Sequence, residues 1–281
     1  MKDTLPNLIE RIEDPIFART NVIPWSCPVP SFGDLSSSVV ATLGLNPSNR
    51  EFVDDDGDEL DGEARRLHTL GSLGLSKWSH VTSWHLDLIE QSCCEYFRKN
   101  PYDGWFRSLE FLLSDANVSY YGRSSNACHL DLIPYATARK WTELTPKQRT
   151  TLLELAGDTL GLLLRNSPIR ILILNGSSVV SNLERIAGVT FEKREMKDWT
   201  LPRRSDAGVA GFAYTGTIRQ VLGVKLSRPV GVLGFNHNIQ SSFGVTTKVK
   251  VAIKNWITKS AKGVVACGHA KSNVRRKSMR V

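Results

Sequence analysis

Four short apolar runs stand out along this chain of 281 residues: residues 38–45 (SVVATLGL), 127–133 (ACHLDLI), 169–174 (IRILIL) and 230–235 (VGVLGF). They are rich in Val, Ile and Leu and largely lack the apolar–polar alternation of a strand with one wet face. Each therefore predicts a strand covered on both sides. Between them, apolar positions recur at helical spacing. Thr145 and Pro146 form an N-cap followed by a proline at the first helical position, and Leu152, Leu155, Leu160 and Leu163 carry the pattern to Leu164. Residues 82–99, 105–115, 177–186 and 246–257 are further helical segments. Strands alternating with helices predict crossover units, and hence a three-layer α/β/α fold around a central four-stranded parallel sheet. No internal repeat is visible. Residues 1–258 read as one domain, and the polar, basic stretch 259–281 reads as a mobile tail.

Charge changes the picture once it is located. All 28 acidic residues and 23 of the 36 basic ones lie at or before Asp206, giving that part a net −5, and thirteen Lys and Arg follow it with no acidic residue. A one-signed C-terminal third points to a polyanionic partner. The five cysteines are scattered without a CxxC pair, which argues against a disulfide framework, a zinc site or an iron–sulfur cluster. No apolar run reaches the roughly 18 residues that a membrane span requires. The N-terminal residues 1–13 are mixed in charge and lack a signal-peptide core. The expectation is a cytoplasmic monomer with neither metal nor cofactor.

Ligands of open parallel sheets bind beyond the carboxyl ends of the strands, and here all four ends are polar. The first run leads into Gly44-Leu45-Asn46-Pro47-Ser48. The second carries His129 and Asp131, and the third ends at Asn175-Gly176-Ser177. The fourth ends at Asn236-His237-Asn238-Ile239-Gln240. GxGxxG, GxxxxGK[ST] and GxSxG signatures are absent, which disfavours a dehydrogenase, a P-loop NTPase or an α/β-hydrolase.

The order of these motifs resembles the uracil-DNA glycosylase superfamily over about residues 38–257, most strongly its mismatch-specific and single-strand-selective monofunctional branches. Gly44-Leu45-Asn46-Pro47-Ser48 is similar to their G-[IM]-N-P-G motif, whose Asn holds the attacking water, which gives Asn46 that role. Aligning His129–Pro134 on the family's H-N-x-C-P segment puts Asp131 where the family has a base-reading Asn. Asn236-His237-Asn238 stands in place of the closing His-Pro-Ser or Asn-Pro-Ser loop. The missing Pro and Ser leave open which of the three is functional, with His237 as the choice for a donor to the leaving base. Ile239 or Gln240 would be the wedge that fills the gap left by a flipped nucleotide, and Phe52 the ring that stacks on it.

A resemblance of this kind implies an enzyme that flips a base from DNA and hydrolyses its N-glycosidic bond without a cofactor, leaving an abasic site. Asp131 departs from the family in an informative way. An ionised carboxylate offers acceptors only, which suits the exocyclic amine of cytosine and would repel O4 of uracil. A modified cytosine is the expected base. Bacterial anti-phage members of the superfamily remove glucosylated hydroxymethylcytosine, and the acidic residues Asp54, Asp55 and Asp56 are candidates for reading such a sugar, against the alternative of a solvated turn. The competing readings are a uracil or thymine-mismatch repair enzyme, a catalytically inactive DNA-binding protein, and a hydrolase of free nucleosides.

Overall fold

A computed structural model describes residues 4–122, 125–203 and 208–261. Six strands form one mixed sheet: β1 (Val40–Gly44), β2 (Ala127–Asp131), β3 (Ile171–Asn175), β4 (Glu192–Glu195), β5 (Phe212–Val221) and β6 (Val224–Phe235), in the order β2-β1-β3-β6-β5-β4. The four apolar runs are its parallel members, since β1 pairs parallel with β2 and β3, and β3 with β6. Every residue of β1, β2 and β3 is buried, so both faces of this part are covered, as the unbroken Val/Ile/Leu runs require.

The expected four-stranded parallel sheet is therefore extended by two antiparallel strands. β5 returns as a hairpin with β6, and β4 adds an outer edge. All four residues of β4 are charged and exposed, a composition that hides a strand from any apolar pattern while protecting the edge from pairing with other chains.

Six helices are bounded within the described residues: α1 (Leu5–Ile12), α2 (Ser83–Cys94), α3 (Asp103–Leu113), α4 (Pro146–Ala156), α5 (Asp158–Arg165) and α6 (Ser177–Ala187). Residues 247–261 form a further helix, α7. The single helix expected from Thr145 to Leu164 is two, α4 and α5, joined at Gly157. Its N-terminus is as read: the Thr145 side chain accepts from the Gln148 amide in a capping box, with Pro146 at the start. Arg11 of α1 pairs with Asp158 of α5 at 2.6 Å, tying the N-terminal helix to the fold. The tail expected from residue 259 begins inside α7, and its remainder, 262–281, lies outside the described residues. No helix among the described residues is long and apolar enough to cross a membrane.

Candidate functional site

The register of β1 against β2 builds the floor of the site. Thr42 lies opposite His129, and Gly44 opposite Asp131. Residues two apart on a strand share a face, so these four positions face one way. The Thr42 hydroxyl is 2.7 Å from His129 Nδ1 and also bonds the Tyr120 hydroxyl. His129 Nε2 is 3.4 Å from Asp131 Oδ1, with both side chains almost wholly buried. Trp105 stands edge-on to the His129 ring with centroids 5.0 Å apart. A Cβ on Gly44 would run into Asp131 Oδ1 and come within 2.9 Å of His129 Nε2. The glycine of the first motif is thus the space that Asp131 and His129 occupy.

Above this floor opens a cavity of about 460 Å³, lined by residues from the carboxyl ends of β1, β2 and β3 and from the loop after β6. Asn46, Asp131, Asn175 and Asn238 line it, as do the rings of Tyr102, Trp105 and Trp141 and the basic side chains of Arg139 and Lys140.

The neighbours of Asn46 fix which way its amide points. Nδ2 donates to the Pro47 carbonyl at 3.0 Å and to Thr137 Oγ1 at 2.9 Å. The first of these can only accept, and the Thr137 hydroxyl spends its proton on the Arg139 carbonyl at 2.7 Å. Oδ1 is therefore left as an acceptor with no partner among the described residues. That is the atom with which an asparagine would hold a water molecule.

The loop after β6 differs from the sequence reading. His237 is buried and does not line the cavity. Its Nε2 donates to the Trp199 carbonyl at 2.8 Å, and burial pushes its pKa down, keeping the ring neutral. Asn236 spends its amide on the backbone: Nδ2 donates to the Ala210 carbonyl and Oδ1 accepts from the Phe212 amide, fixing the start of β5. Of the three alternatives only Asn238 reaches the cavity. Its Oδ1 accepts from the Gln240 and Ser241 amides, closing the turn.

Neither expected wedge projects from the surface. Ile239 is buried, and Gln240 is held between Asn175 Nδ2 (2.6 Å) and the Trp105 carbonyl (3.3 Å). Asn175 also accepts from the Ile239 amide at 3.1 Å. It clasps this loop rather than capping α6, whose N-cap is Gly176. The exposed large apolar side chain of the loop is Phe243, 81% accessible, with the Arg203 guanidinium 5.2 Å from its ring centroid.

Phe52 is buried edge-on to Trp25 and does not line the cavity. Asp54, Asp55 and Asp56 also lie outside it. Asp54 Oδ1 accepts from the Asp56 and Asp58 amides, closing a surface turn, and Asp55 pairs with Arg50. No cluster of His, Cys, Asp or Glu able to hold a metal occurs among the described residues.

The sequence reading singled out neither the rings and basic side chains of the cavity wall nor its second carboxyl group. Glu51 ends the short 3₁₀ turn Asn49–Glu51 that follows the first motif, lines the cavity and is only 3% exposed. Burial raises its pKa to about 7, against the lowering effects of the Tyr96 hydroxyl and Arg66, and Asp131 adds to the rise. Nothing local marks Glu51 as buried, because the residues that enclose it come from distant segments. Comparison of the chain with protein-family models and with curated proteins gives no match.

Proposed function

We propose that this chain is a monofunctional DNA glycosylase that excises a modified cytosine and leaves an abasic site. The observation that carries the reading is that one cavity is lined both by Asn46, whose free atom is an acceptor, and by the buried carboxylate of Asp131, whose register partner Gly44 lies two residues before that asparagine. Asn46 Oδ1 would orient water toward the sugar carbon. An amide is a weak base, which suits a reaction in which the glycosidic bond is largely broken before water adds. Asp131 would accept from the exocyclic amine of the base, with His129, itself bonded to Thr42, beside its carboxylate.

Aromatic walls from Tyr102, Trp105 and Trp141 suit a flipped pyrimidine, and the cavity exceeds what a bare pyrimidine ring fills. The remaining space, beside Arg139, Lys140 and Thr142, fits a polar substituent on the base. Glucosylated hydroxymethylcytosine of phage DNA is the substrate of this kind that the reading favours, with defence against phage as its setting. With Asp54, Asp55 and Asp56 turned away, recognition of the sugar falls to this wall. Phe243 replaces Ile239 and Gln240 as the wedge, being the exposed apolar side chain two residues beyond Ser241 at the rim. Arg203 beside it suits a phosphate.

The test is abasic-site formation on oligonucleotides carrying uracil, a thymine mismatch, cytosine, hydroxymethylcytosine or its glucosylated form, followed by alkaline cleavage. Cutting confined to modified cytosine supports the reading. Cutting at uracil makes the chain a repair enzyme and removes the argument from Asp131. Binding without cutting makes it a DNA-binding protein.

A further inference from the structure

Cytosine leaves its sugar less readily than uracil, because its anion is the stronger base. A site that excises it gains most from a group that protonates the base as the bond breaks. Asn46 has no proton to give in that sense, Asp131 is assigned as an acceptor, and His237 is turned to the Trp199 carbonyl. His129 also lines the cavity, but its ring nitrogens are turned to Thr42 and Asp131, which leaves the carboxyl group of Glu51.

We propose that Glu51 is the general acid of this site, a carboxyl group that passes its proton to the departing base. This rests on the glycosylase reading and adds to it the source of the proton. The geometry assigns the two oxygens different tasks. The Tyr96 hydroxyl accepts from the Tyr102 amide at 2.8 Å, so its own proton goes to Glu51 Oε2 at 2.6 Å. Oε1 has no partner among the described residues, although the side chain is almost wholly buried in the cavity wall. That leaves Oε1 as the oxygen open to a ligand in the cavity, where it can present a proton when the group is protonated.

The charged and titratable groups facing Glu51 are Tyr96, Arg66 and Asp131, and their balance with burial leaves the acid able to hold its proton up to about pH 7. A catalytic acid works best when its pKa is near the working pH. In the step itself, the C1′–N1 bond breaks and its electron pair stays with the base. The Glu51 proton moves to O2 or N3, so the base leaves neutral. Water held by Asn46 adds its oxygen to C1′ and releases one proton, which balances the proton that returns to the Glu51 carboxylate.

The experiment is a single-turnover pH–rate profile on the best-cleaved modified cytosine, with wild type, Glu51→Gln and Tyr96→Phe, each checked for folding by thermal melting. The wild-type rate should fall as pH rises through about 7. Glu51→Gln should lose roughly 10²–10⁴-fold and this limb. Tyr96→Phe removes a bond that favours the ionised form, so its limb should move to higher pH. The loss in Glu51→Gln should shrink on 5-fluorocytosine, whose ring is a better leaving group.

A Glu51→Gln profile that keeps the wild-type limb overturns the proposal while leaving the glycosylase reading intact, as does a Tyr96→Phe limb that stays in place should Glu51→Gln fail to fold. Wild type that cuts none of the substrates overturns the glycosylase reading and this inference together.

Discussion

The two sides of the cavity mouth are built on opposite plans. On the β1–β2 side, Asn46, Glu51, His129 and Asp131 present polar atoms to the cavity, and backbone register or neighbouring hydroxyls hold them there. On the β6 side, His237, Asn236 and Gln240 turn their polar atoms back onto the protein and hold a loop in place. Both sides are strand ends with polar sequences. The difference teaches that a strand end places a backbone, while the partner across the register decides which way a side chain faces. Gly44 is the clearest case, since its missing side chain is what lets Asp131 and His129 face the cavity.

The largest expected effect lies on the first side. Asn46→Ala should reduce abasic-site formation by about 10²-fold or more, through a water no longer held in line, measured in single turnover. A rate close to wild type would remove the contrast between the sides. Asp131→Asn should shift the base preference from modified cytosine toward uracil, read from the ratio of the two cleavage rates.

Gly44→Ala should cost about 1–3 kcal/mol of stability by overpacking and displace Asp131, and urea melts with parallel cleavage assays would register both. His237→Ala, on the other side, should lower stability by about 1–3 kcal/mol because the Trp199 carbonyl loses its buried donor. Cleavage per folded molecule should stay within a few-fold of wild type, and a loss matching that of Asn46→Ala would return His237 to the chemistry. Phe243→Ala should leave the melting temperature nearly unchanged and reduce cleavage of duplex DNA roughly tenfold, consistent with one lost stacking contact. Single-stranded substrate should be affected less.

Stability against pH separates the sides as well. The folded pKa of Glu51 is raised to about 7 from its ordinary 4.5. Unfolding therefore releases a proton between these values, and stability falls as pH rises through this window by about 3 kcal/mol from this group. Denaturant melts at pH 5 and pH 8 should show this fall in wild type and not in Glu51→Gln. His237 has the opposite sign: its pKa is lowered by burial, so its contribution is lost as pH falls below the ordinary histidine range.

The four parallel strands were legible because strands buried on both faces must be apolar throughout. β4 and β5 were not, since Glu192–Glu195 is charged at every position and β5 buries only part of its length. The place of Asn46 and Asp131 in the cavity wall was legible from their positions at strand ends. Glu51 was hidden because the groups that act on it, the Tyr96 hydroxyl, Arg66 and Asp131, are all remote in sequence. That His237 and Asn236 stay out of the cavity wall was not legible for the reverse reason: the groups that draw them away, the carbonyls of Trp199 and Ala210, belong to segments with no pattern of their own.

Asn175, one side chain that joins the end of β3 to the loop after β6, has a thermodynamic consequence of its own. By bonding both the Ile239 amide and the Gln240 side chain, it makes that loop give up its conformational entropy when the chain folds rather than when a ligand arrives. A rim ordered in advance loses little freedom on association, so more of the contact energy made there remains as affinity.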